Sequence, residues 1–500
     1  MSDISNDTNK KDKPAVAETE QSPPPNKKGE LMRISVQSNR FAIALFIIVS
    51  IALFSNVRAQ AADLANDEEL AYSIGIQAYI YGYPMMDLYR TLYETSLDPK
   101  RGHDRTINEF FFFRRLVTHE DDWVVTPNED TIYHRAFLDL RLEPIVLVIP
   151  EMGERHYWFP IGDMHHNFDG HLSWDTVGSR GGAFALCPPG WQGVLPDGVE
   201  RVDVSTPIIW MIGRYAVDGV ADIPAATALQ DQTHLILLSK WGKGKTPQPE
   251  INVSDYPVFT RNDLTDATKY FTTLNELLRM TPRNLHPVDI ATFGWFREIN
   301  LHPSQQFDMK SLSPESQRGL ERAAAEGHRI ISERQKRFVP IVNNWQLARL
   351  DPDMSDEFLI SAGAAMLGLL YNPKEVSTYD VTFFDGNGQV LDGTNSYTLH
   401  LDPPPPVNAL WSLSMYSGET RRFIQSPINR YSIGDRTEGL IYGEDGSLSI
   451  TMQHEEPTDP TQRSNWLPAP KGPFYLVLRH YSPQAPIING DWLPNAIEKK

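Results

Sequence analysis

The alternation of apolar and polar residues divides the chain into an apolar N-terminal run, a β-rich segment, a helical middle and a second β-rich segment. From Trp123 onward, short runs of branched and aromatic residues are separated by Gly, Pro, Asp and Asn. This pattern is typical of strands in a sandwich or barrel. The strands are predicted at Leu138–Leu142, Ile145–Ile149, His156–Pro160, Val199–Val204 and Pro207–Ile212.

Apolar residues spaced at about 3.6 positions predict helices before and after this segment. The first helix begins in an acidic turn at Asn66–Glu69, whose charges suit the positive end of a helix dipole. The residues Gly82, Tyr83 and Pro84 are expected to interrupt it before Met85 resumes the pattern. Further helices are predicted at Asp263–Leu278, Ser313–Val339 and Asp356–Leu370.

The last part of the chain returns to a β pattern with turn residues between its runs. Tyr379–Phe384 leads into the turn Asp385–Gly388, and Leu440–Tyr442 is followed, after Gly443–Gly446, by Leu448–Ile450. Both arrangements predict hairpins. The turn at Asp385 lacks the glycine and the terminal glutamate of a calcium loop, so no calcium site is predicted there.

Four consecutive phenylalanines, Phe110 to Phe113, precede the first β segment. Because side chains alternate along a strand, the four rings cannot all face one side. Some of them must therefore meet another element or a partner subunit. A buried strand or short helix is favoured over an exposed contact patch.

The N-terminal apolar run predicts export. Residues 1–40 are polar and are expected to be disordered, while the apolar run from Phe41 to Phe54 follows basic residues and is closed by the small residues Ala59 and Ala61. These are the marks of a secretory signal peptide cleaved after Ala61, with Met1 or Met32 as the start. The alternative is an uncleaved anchor at residues 41–57, with the domains outside the cytoplasm. The expected location is the periplasm after cleavage, and the inner membrane if the anchor is retained.

Composition excludes several functions. The chain carries a net charge of −18, which repels phosphate backbones, so no nucleic acid partner is predicted. A membrane partner is predicted only through the N-terminal segment. The single cysteine, Cys187, cannot form an internal disulfide and is expected to be a small buried residue. No phosphate loop, nucleophile elbow, zinc-protease or dinucleotide motif occurs in the sequence.

A series of ordered motifs begins with Asn128, Glu129, Asp130, Thr131, Ile132 and Tyr133. Others follow along the chain; they include Asp163, Gly178 with Arg180, Gly213 with Arg214, Trp411, Tyr416, Tyr431, Trp466, Arg479 with Tyr481, and Trp492. These motifs resemble the DUF1254/DUF1214 proteins, bacterial proteins, many of them exported, that are named for two domains of unknown function. The resemblance implies two jelly-roll-like domains and brings no established reaction.

The predicted fold class is mainly β with helical segments, in which two β-sandwich (jelly-roll-like) domains are joined by a helical region. After the disordered leader at 1–40 and the signal segment at 41–61, the first β domain with its leading helix is predicted at 62–216. The helical connection follows at 217–370, and the second β domain at 371–500.

A histidine-rich loop is the first candidate site. It contains Asp163, His165, His166 and His171, and imidazole and carboxylate are ligands that a divalent metal requires. The spacing of the three histidines aligns them on no regular element, so no cofactor is predicted, and a divalent metal is retained only as an alternative. The polar loop is expected to line a cleft.

The motif from Asn128 to Tyr133 is the second candidate site. Asp130 can cap a turn through its side chain or pair with Arg180 or Arg214, which would be a structural role. It can equally act as a general base in a pocket. The predicted catalytic residues are Asp130, Asp163, His165, Arg180 and Arg214, and the predicted ligand-binding residues are Asn128, Tyr133, His166, His171, Trp411 and Trp466.

Three functions remain open on the sequence alone. A slight preference goes to a hydrolase or lyase that acts on a small polar or saccharide-like substrate in a cleft of the first domain. The alternatives are a non-catalytic module that binds carbohydrate or envelope components on exposed Trp and Tyr rings, and a structural homo-oligomer. Six aromatic residues of the second domain could form such a platform, although a core role is favoured for them: Trp411, Tyr416, Tyr431, Trp466, Tyr481 and Trp492.

Overall fold

Two β-sandwiches and a helical layer make up the described part of the chain in a computed structural model. The structure describes residues 67–100, 107–121, 126–243, 252–282, 286–335, 339–351, 353–354, 356–369 and 372–500. The leader and the signal segment predicted at residues 1–61 lie outside this range. Within it, no helix combines the length and the apolar character needed to cross a membrane.

The first sandwich consists of a five-stranded and a four-stranded sheet. Its strands are β1 Phe111–Phe112, β2 Thr131–Asp139, β3 Ile145–Ile149, β4 Tyr157–Asp163, β5 Phe168–Ser173, β6 Gly182–Cys187, β7 Val199–Asp203, β8 Ile208–Ala216 and β9 His234–Leu237. The sheet orders are β1-β2-β8-β4-β5 and β7-β6-β3-β9. Alternate residues of each strand, such as Ile132, Leu147 and Met211, fill the core between the two sheets.

The second sandwich is built in the same way. Its strands are β10 Ile341–Val342, β11 Trp345–Ala348, β12 Ser377–Thr382, β13 Tyr397–Leu401, β14 Val407–Ser417, β15 Ser432–Gly434, β16 Leu448–Gln453, β17 Trp466–Pro468, β18 Phe474–Pro483 and β19 Glu498–Lys499. The sheet orders are β10-β11-β12-β18-β14-β15 and β17-β16-β13-β19. The predicted fold class, two sandwich domains with a helical region between them, is confirmed.

Helices form a separate layer against the first domain. Residues 67–92 are helical (α1), and the other helices are α2 Trp174–Val177, α3 Ile223–Gln230, α4 Ala267–Met280, α5 Pro287–Phe296, α6 Pro314–Arg334, α7 Phe358–Leu367, α8 Pro460–Ser464 and α9 Ala485–Asn489. Buried residues of α1, α4 and α6 form one cluster with Phe137 and Trp210, which lie on the outer face of the five-stranded sheet.

The predicted interruption of the first helix is wrong, since α1 runs through Gly82, Tyr83 and Pro84. Tertiary packing explains the difference. A Cβ added at Gly82 would lie 2.5 Å from a methyl carbon of Leu274 on α4, so the glycine permits close contact between the two helices. Tyr83 and Met85 are both buried. Packing on both sides outweighs the poor helix propensity of glycine and proline.

Two local predictions concern strand pairing. The hairpin predicted at Leu440–Tyr442 is wrong, because these residues form no strand and β16 pairs instead with β13 and β17. The phenylalanine segment contains the short strand β1, which pairs with β2. Phe110 and Phe112 contact His134, whereas the ring of Phe111 packs against that of Phe113. The rings therefore divide between two faces, as the alternation requires.

The outer faces of the two larger sheets meet each other. Trp158 of β4 packs its ring 5.4 Å from that of Tyr481 on β18, and both belong to a small apolar cluster shared by the domains. The loop at residues 126–130, which leads into β2, also contacts the second domain. The two sandwiches therefore enclose space between their larger sheets.

Candidate functional site

A cavity of about 560 Å³ lies between the two domains. Its walls come from the outer faces of β2 and β8 in the first domain and of β11, β12 and β18 in the second. One end of α1 and the residues that follow α7 complete it. Most of the described lining residues lie on strands or on α1, so regular elements form much of the wall.

One tyrosine and one arginine of the first domain face the cavity. Tyr133 on β2 is the direct cross-strand partner of Arg214 on β8, and the guanidinium carbon of Arg214 lies 5.5 Å from the centre of the Tyr133 ring. The hydroxyl of Tyr133 accepts a hydrogen bond from the Asn128 amide. Strand pairing thus places an aromatic face and a cation side by side.

The second domain repeats this arrangement. Tyr379 on β12 is the cross-strand partner of Arg479 on β18, and both line the cavity. The Arg479 guanidinium donates to Ser414 Oγ at 2.9 Å and to the carbonyl oxygens of Thr126 and Pro127 at 3.0 and 3.2 Å. Arg479 is therefore occupied in tying the second domain to the loop of the first.

Arg214 forms fewer hydrogen bonds with the described protein groups than Arg479 does. Its Nη1 donates to the hydroxyl of Tyr379 at 3.3 Å, a bond that crosses from one domain to the other. Its Nε is buried without a hydrogen-bond partner among the described residues. Arg214 is partly exposed, and its side chain lines the cavity. A buried cation with one neutral partner is costly unless an anion joins it.

The charged side chains among the described residues that line the cavity are all positive. The described residues that line it include the arginines Arg135, Arg214, Arg421 and Arg479, and no Asp or Glu is among them. Apolar side chains make up most of the remaining wall: Phe113, Val117, Trp210, Ile212, Leu367, Leu369, Val381, Phe383 and Val477. Arginines together with a largely apolar wall suit a ligand that has both an anionic group and an apolar part.

The hydroxyl of Tyr379 forms hydrogen bonds with residues on both sides of the domain contact. It accepts hydrogen bonds from Asn372 Nδ2 at 2.8 Å and from Arg214 Nη1 at 3.3 Å. Burial works to raise the pKa of Tyr379, but the positive charge of Arg214, a bond with Ser377 and the charge of Arg479 outweigh it, so the pKa is lowered from its ordinary value. Burial raises the pKa of Tyr133.

The structure places Asp130 away from the cavity lining. Its Oδ2 accepts hydrogen bonds from Ser412 Oγ at 2.6 Å and from the Tyr481 hydroxyl at 3.3 Å. Its closest cation is Arg436 at 3.7 Å, so the pairing expected with Arg180 or Arg214 is wrong. Asp130 connects the motif loop to the second domain.

The neighbouring Glu129 has the same orientation towards the second domain. Its carboxylate accepts from Ser432 Oγ at 2.6 Å and from the backbone N–H of Tyr431 at 3.3 Å. Burial raises the pKa of Glu129 to about 7, against the effect of the Ser432 bond. The motif at residues 128–133 thus combines interdomain contacts with two cavity residues, Asn128 and Tyr133.

The histidine-rich loop is a separate structure. Asp163 Oδ1 accepts from the backbone N–H groups of His165 and Asn167, both at 2.8 Å, and this fixes a turn. His166 is fully buried, and burial lowers its pKa to about 4. Burial also lowers the pKa of His171 on β5. Among the described residues, no group of three His, Cys, Asp or Glu side chains is arranged to hold a metal ion.

The remaining predicted residues lie elsewhere. Arg180 is exposed in the turn between α2 and β6. Trp411 and Trp466 are 3% and 2% exposed; Trp411 belongs to the core of the second sandwich, and the indole of Trp466 donates to the carbonyl oxygen of Gln453. The proposed sugar platform is therefore wrong for these two rings, and Cys187 is buried as expected.

Sequence reasoning missed two residues of the polar group. Arg479 was noticed only as a motif position, and Tyr379 only as the start of a strand. A signal existed, since Tyr379 and Val381 alternate with polar residues and would face one side. Which faces of two distant sheets meet, however, is set by the domain arrangement.

Comparison with known proteins gives a family and a fold. The family models DUF1254 and DUF1214, each described as a protein of unknown function, match residues 107–236 and 376–485. No curated protein matches the chain. The crystal structure of the VPA0106 protein from Vibrio parahaemolyticus is similar, with 25% identity and a TM-score of 0.68 over 86% of this chain and 100% of that one. A putative uncharacterized protein from Burkholderia cenocepacia shows 9% identity and a TM-score of 0.41, covering 88% of this chain and 95% of that one. The chain therefore combines a region matched by the DUF1254 model with a region matched by the DUF1214 model, and both models describe proteins of unknown function.

Proposed function

We propose that this protein binds a small organic acid in the interdomain cavity, with the carboxylate of the ligand at Arg214 and its apolar part against the apolar wall. One observation carries the proposal. Arg214 has a single hydrogen bond, to a neutral hydroxyl, and its buried Nε has no partner among the described residues. A carboxylate bound to the part of the Arg214 side chain that lines the cavity would supply the missing negative charge.

The apolar wall narrows the class of ligand. Trp210 and Ile212 precede Arg214 on β8, and Val381 follows Tyr379 on β12. Side chains two residues apart on a strand lie about 7 Å from each other on the same face. A ligand that reaches from Arg214 to this wall therefore has its apolar atoms within a few bonds of its carboxylate.

This proposal modifies the functions considered from the sequence. The sequence predicted a cleft in the first domain alone, whereas the proposed site is a cavity that residues of both domains line. Asp130, Asp163 and His165 do not line it, so the residues first considered for hydrolysis do not support that reaction. The segment from Phe110 to Phe113 packs within the chain, which offers no support for a contact patch in a homo-oligomer.

Calorimetric titration of the full chain with matched ligands tests the proposal. Benzoate and hexanoate carry the charge, whereas benzamide and hexanamide have the same shape without it. We expect binding of at least one of the acids and of neither amide. Arg214→Gln should weaken the binding of that acid at least tenfold, which corresponds to about 1.4 kcal/mol.

Arg180→Gln is the matched control, because Arg180 is exposed and does not line the cavity. It should leave the affinity unchanged. Equal affinity of an acid for wild type and Arg214→Gln would overturn the proposal, and so would an absence of binding by both acids.

A further inference from the structure

We infer that the ligand of the interdomain cavity is a dicarboxylic acid with an apolar chain between its two acidic groups, and that Arg421 binds the second carboxylate. This inference rests on the proposed function, because it places the first carboxylate at Arg214. It narrows the class of ligand from organic acids in general to acids that are charged at both ends.

The cavity wall that the second domain supplies is apolar in its middle. Six residues form this wall in three successive pairs: Tyr379 with Arg479, Val381 with Val477, and Phe383 with Tyr475. The first two pairs stand opposite each other on β12 and β18, and the rings of the third pair stack with 4.9 Å between their centres. The two valines therefore lie between a polar pair at one end and an aromatic pair at the other.

Arg214 lies at the first end of this wall. Its Nη1 donates to the hydroxyl of Tyr379 at 3.3 Å. A carboxylate at Arg214 would therefore lie beside Tyr379, and the apolar atoms attached to it would continue along Val381 and Val477.

Arg421 lies at the second end. It lines the cavity, and it is close to Tyr475: burial raises the pKa of Tyr475, and a bond with Thr126 and the positive charge of Arg421 oppose this rise. The N–H of Arg421 donates to the Ser417 carbonyl oxygen at 3.0 Å, and its own carbonyl oxygen accepts from the Thr126 N–H at 2.8 Å. These two backbone bonds hold Arg421 in place against the loop of the first domain.

The cavity wall supplies no negative charge to Arg421. No Asp or Glu is among the described residues that line the cavity, and Arg421 itself is exposed. A monocarboxylic acid that reached this end would place an apolar group against the guanidinium. A second carboxylate would instead form a charge-assisted hydrogen bond there.

The distance between the two ends indicates the length of the ligand. Tyr379 and Phe383 are four residues apart, which corresponds to about 13 Å along an extended chain. Extended decanedioate has about this length. Hexanedioate is too short to reach Arg421 while its first carboxylate lies at Arg214.

Calorimetric titration of the full chain with decanedioate and decanoate tests the inference, because these acids differ only in the group at the second end. Arg421→Gln should weaken the binding of decanedioate about fivefold, which corresponds to about 1 kcal/mol. It should leave the affinities for decanoate and hexanedioate unchanged. Arg421→Lys keeps the positive charge and should retain most of the affinity for decanedioate.

Arg463→Gln is the control for the loss of a positive charge from the second domain, since Arg463 does not line the cavity. It should change the affinity for neither acid. Unchanged binding of decanoate by Arg421→Gln also shows that this variant is folded.

The outcomes separate the two proposals. If neither decanoate nor decanedioate binds, or if Arg214→Gln binds both as tightly as the wild type, the proposed function is wrong and the inference is lost with it. If both acids bind through Arg214, but Arg421→Gln weakens both equally or weakens neither, the inference is wrong while the proposed function stands.

Discussion

Each domain places one tyrosine and one arginine against the cavity, and the two arginines differ in their hydrogen bonds. Tyr133 with Arg214 and Tyr379 with Arg479 each stand opposite one another on neighbouring strands. Arg479 donates to a hydroxyl and two carbonyl oxygens of the protein, whereas Arg214 has one bond and an unpartnered Nε among the described residues.

This difference shows that strand register alone does not define the role of a residue. The carbonyl oxygens that occupy Arg479 belong to Thr126 and Pro127, in the loop that enters the first domain. Among the described residues, no loop carbonyl oxygen accepts a hydrogen bond from Arg214. One arginine therefore stabilises the domain contact, and the other remains available for a ligand. Four predictions compare the two arginines, the cores of the two domains and the contact between them, beginning with the largest expected change in stability.

Arg479→Gln should lower the free energy of unfolding by about 3 kcal/mol, because it removes charged hydrogen bonds and leaves buried acceptors unpaired. Urea denaturation at neutral pH measures the change. Arg463→Gln is the control in the same domain, since Arg463 forms a half-exposed ion pair with Glu456; it should change stability by less than about 0.5 kcal/mol. A similar effect of both variants would contradict the role given to Arg479.

The cores of the two domains should respond alike to acid. Burial lowers the pKa of His134 in the first domain and of His480 in the second to about 3 each. The unfolded chain takes up these protons below about pH 6.5, so stability is complete above that pH and is lost as the pH falls towards 3. Each histidine should account for about 2 kcal/mol of the loss between pH 7.5 and pH 5.

Denaturation at the two pH values with His134→Phe and with His480→Gln measures these contributions separately. Each variant should lose about 2 kcal/mol less than the wild type on acidification. A variant with an unchanged pH dependence would show that its histidine takes up a proton in the folded chain at ordinary pH.

Glu129 should give the interdomain contact an opposite pH dependence. The pKa of Glu129 is raised to about 7 by burial, so the folded chain keeps a proton that the unfolded chain loses near pH 4.5. Stability is therefore complete below pH 4.5 and is lost as the pH rises through 7. Because the carboxyl is partly exposed, we expect a loss of about 1–2 kcal/mol by pH 8.5. Glu129→Gln should remove this loss in denaturation experiments, and a pH dependence equal to that of the wild type would refute it.

Arg214→Gln should have the smallest effect on stability. Since Arg214 is a buried cation with one hydrogen bond, the loss of that bond and the relief of the buried charge should offset each other to within about 1 kcal/mol. Urea denaturation without ligand measures this. A destabilisation as large as that of Arg479→Gln would remove the contrast between the two arginines.

The sequence predicted the architecture well because sandwich strands carry their own signal. β3 has the predicted bounds, Ile145–Ile149, since a short run of branched residues between turn residues can form little else. The prediction for α1 was wrong because Gly82 allows close contact with Leu274, a partner that is distant in sequence. Local propensity gives no information on such a contact.

The candidate site was predicted only in part. Asn128, Tyr133 and Arg214 line the cavity, and they could be found because they belong to motifs of one domain. The bonds of Asp130 to Ser412 and Tyr481 join residues far apart in the chain, so its structural role could not be separated from a catalytic one. The contact between Arg214 and Tyr379 could not be predicted for the same reason, because these two residues are also far apart in the chain.

The bond between Arg214 and Tyr379 joins the two regions that the family models treat as separate. Neither region alone supplies all the polar residues that line the cavity, so the proposed binding function requires both regions. If the two regions were carried on different polypeptides, they would have to assemble before a ligand could be held between them. The affinity of the ligand would then depend on protein concentration, which a single chain avoids.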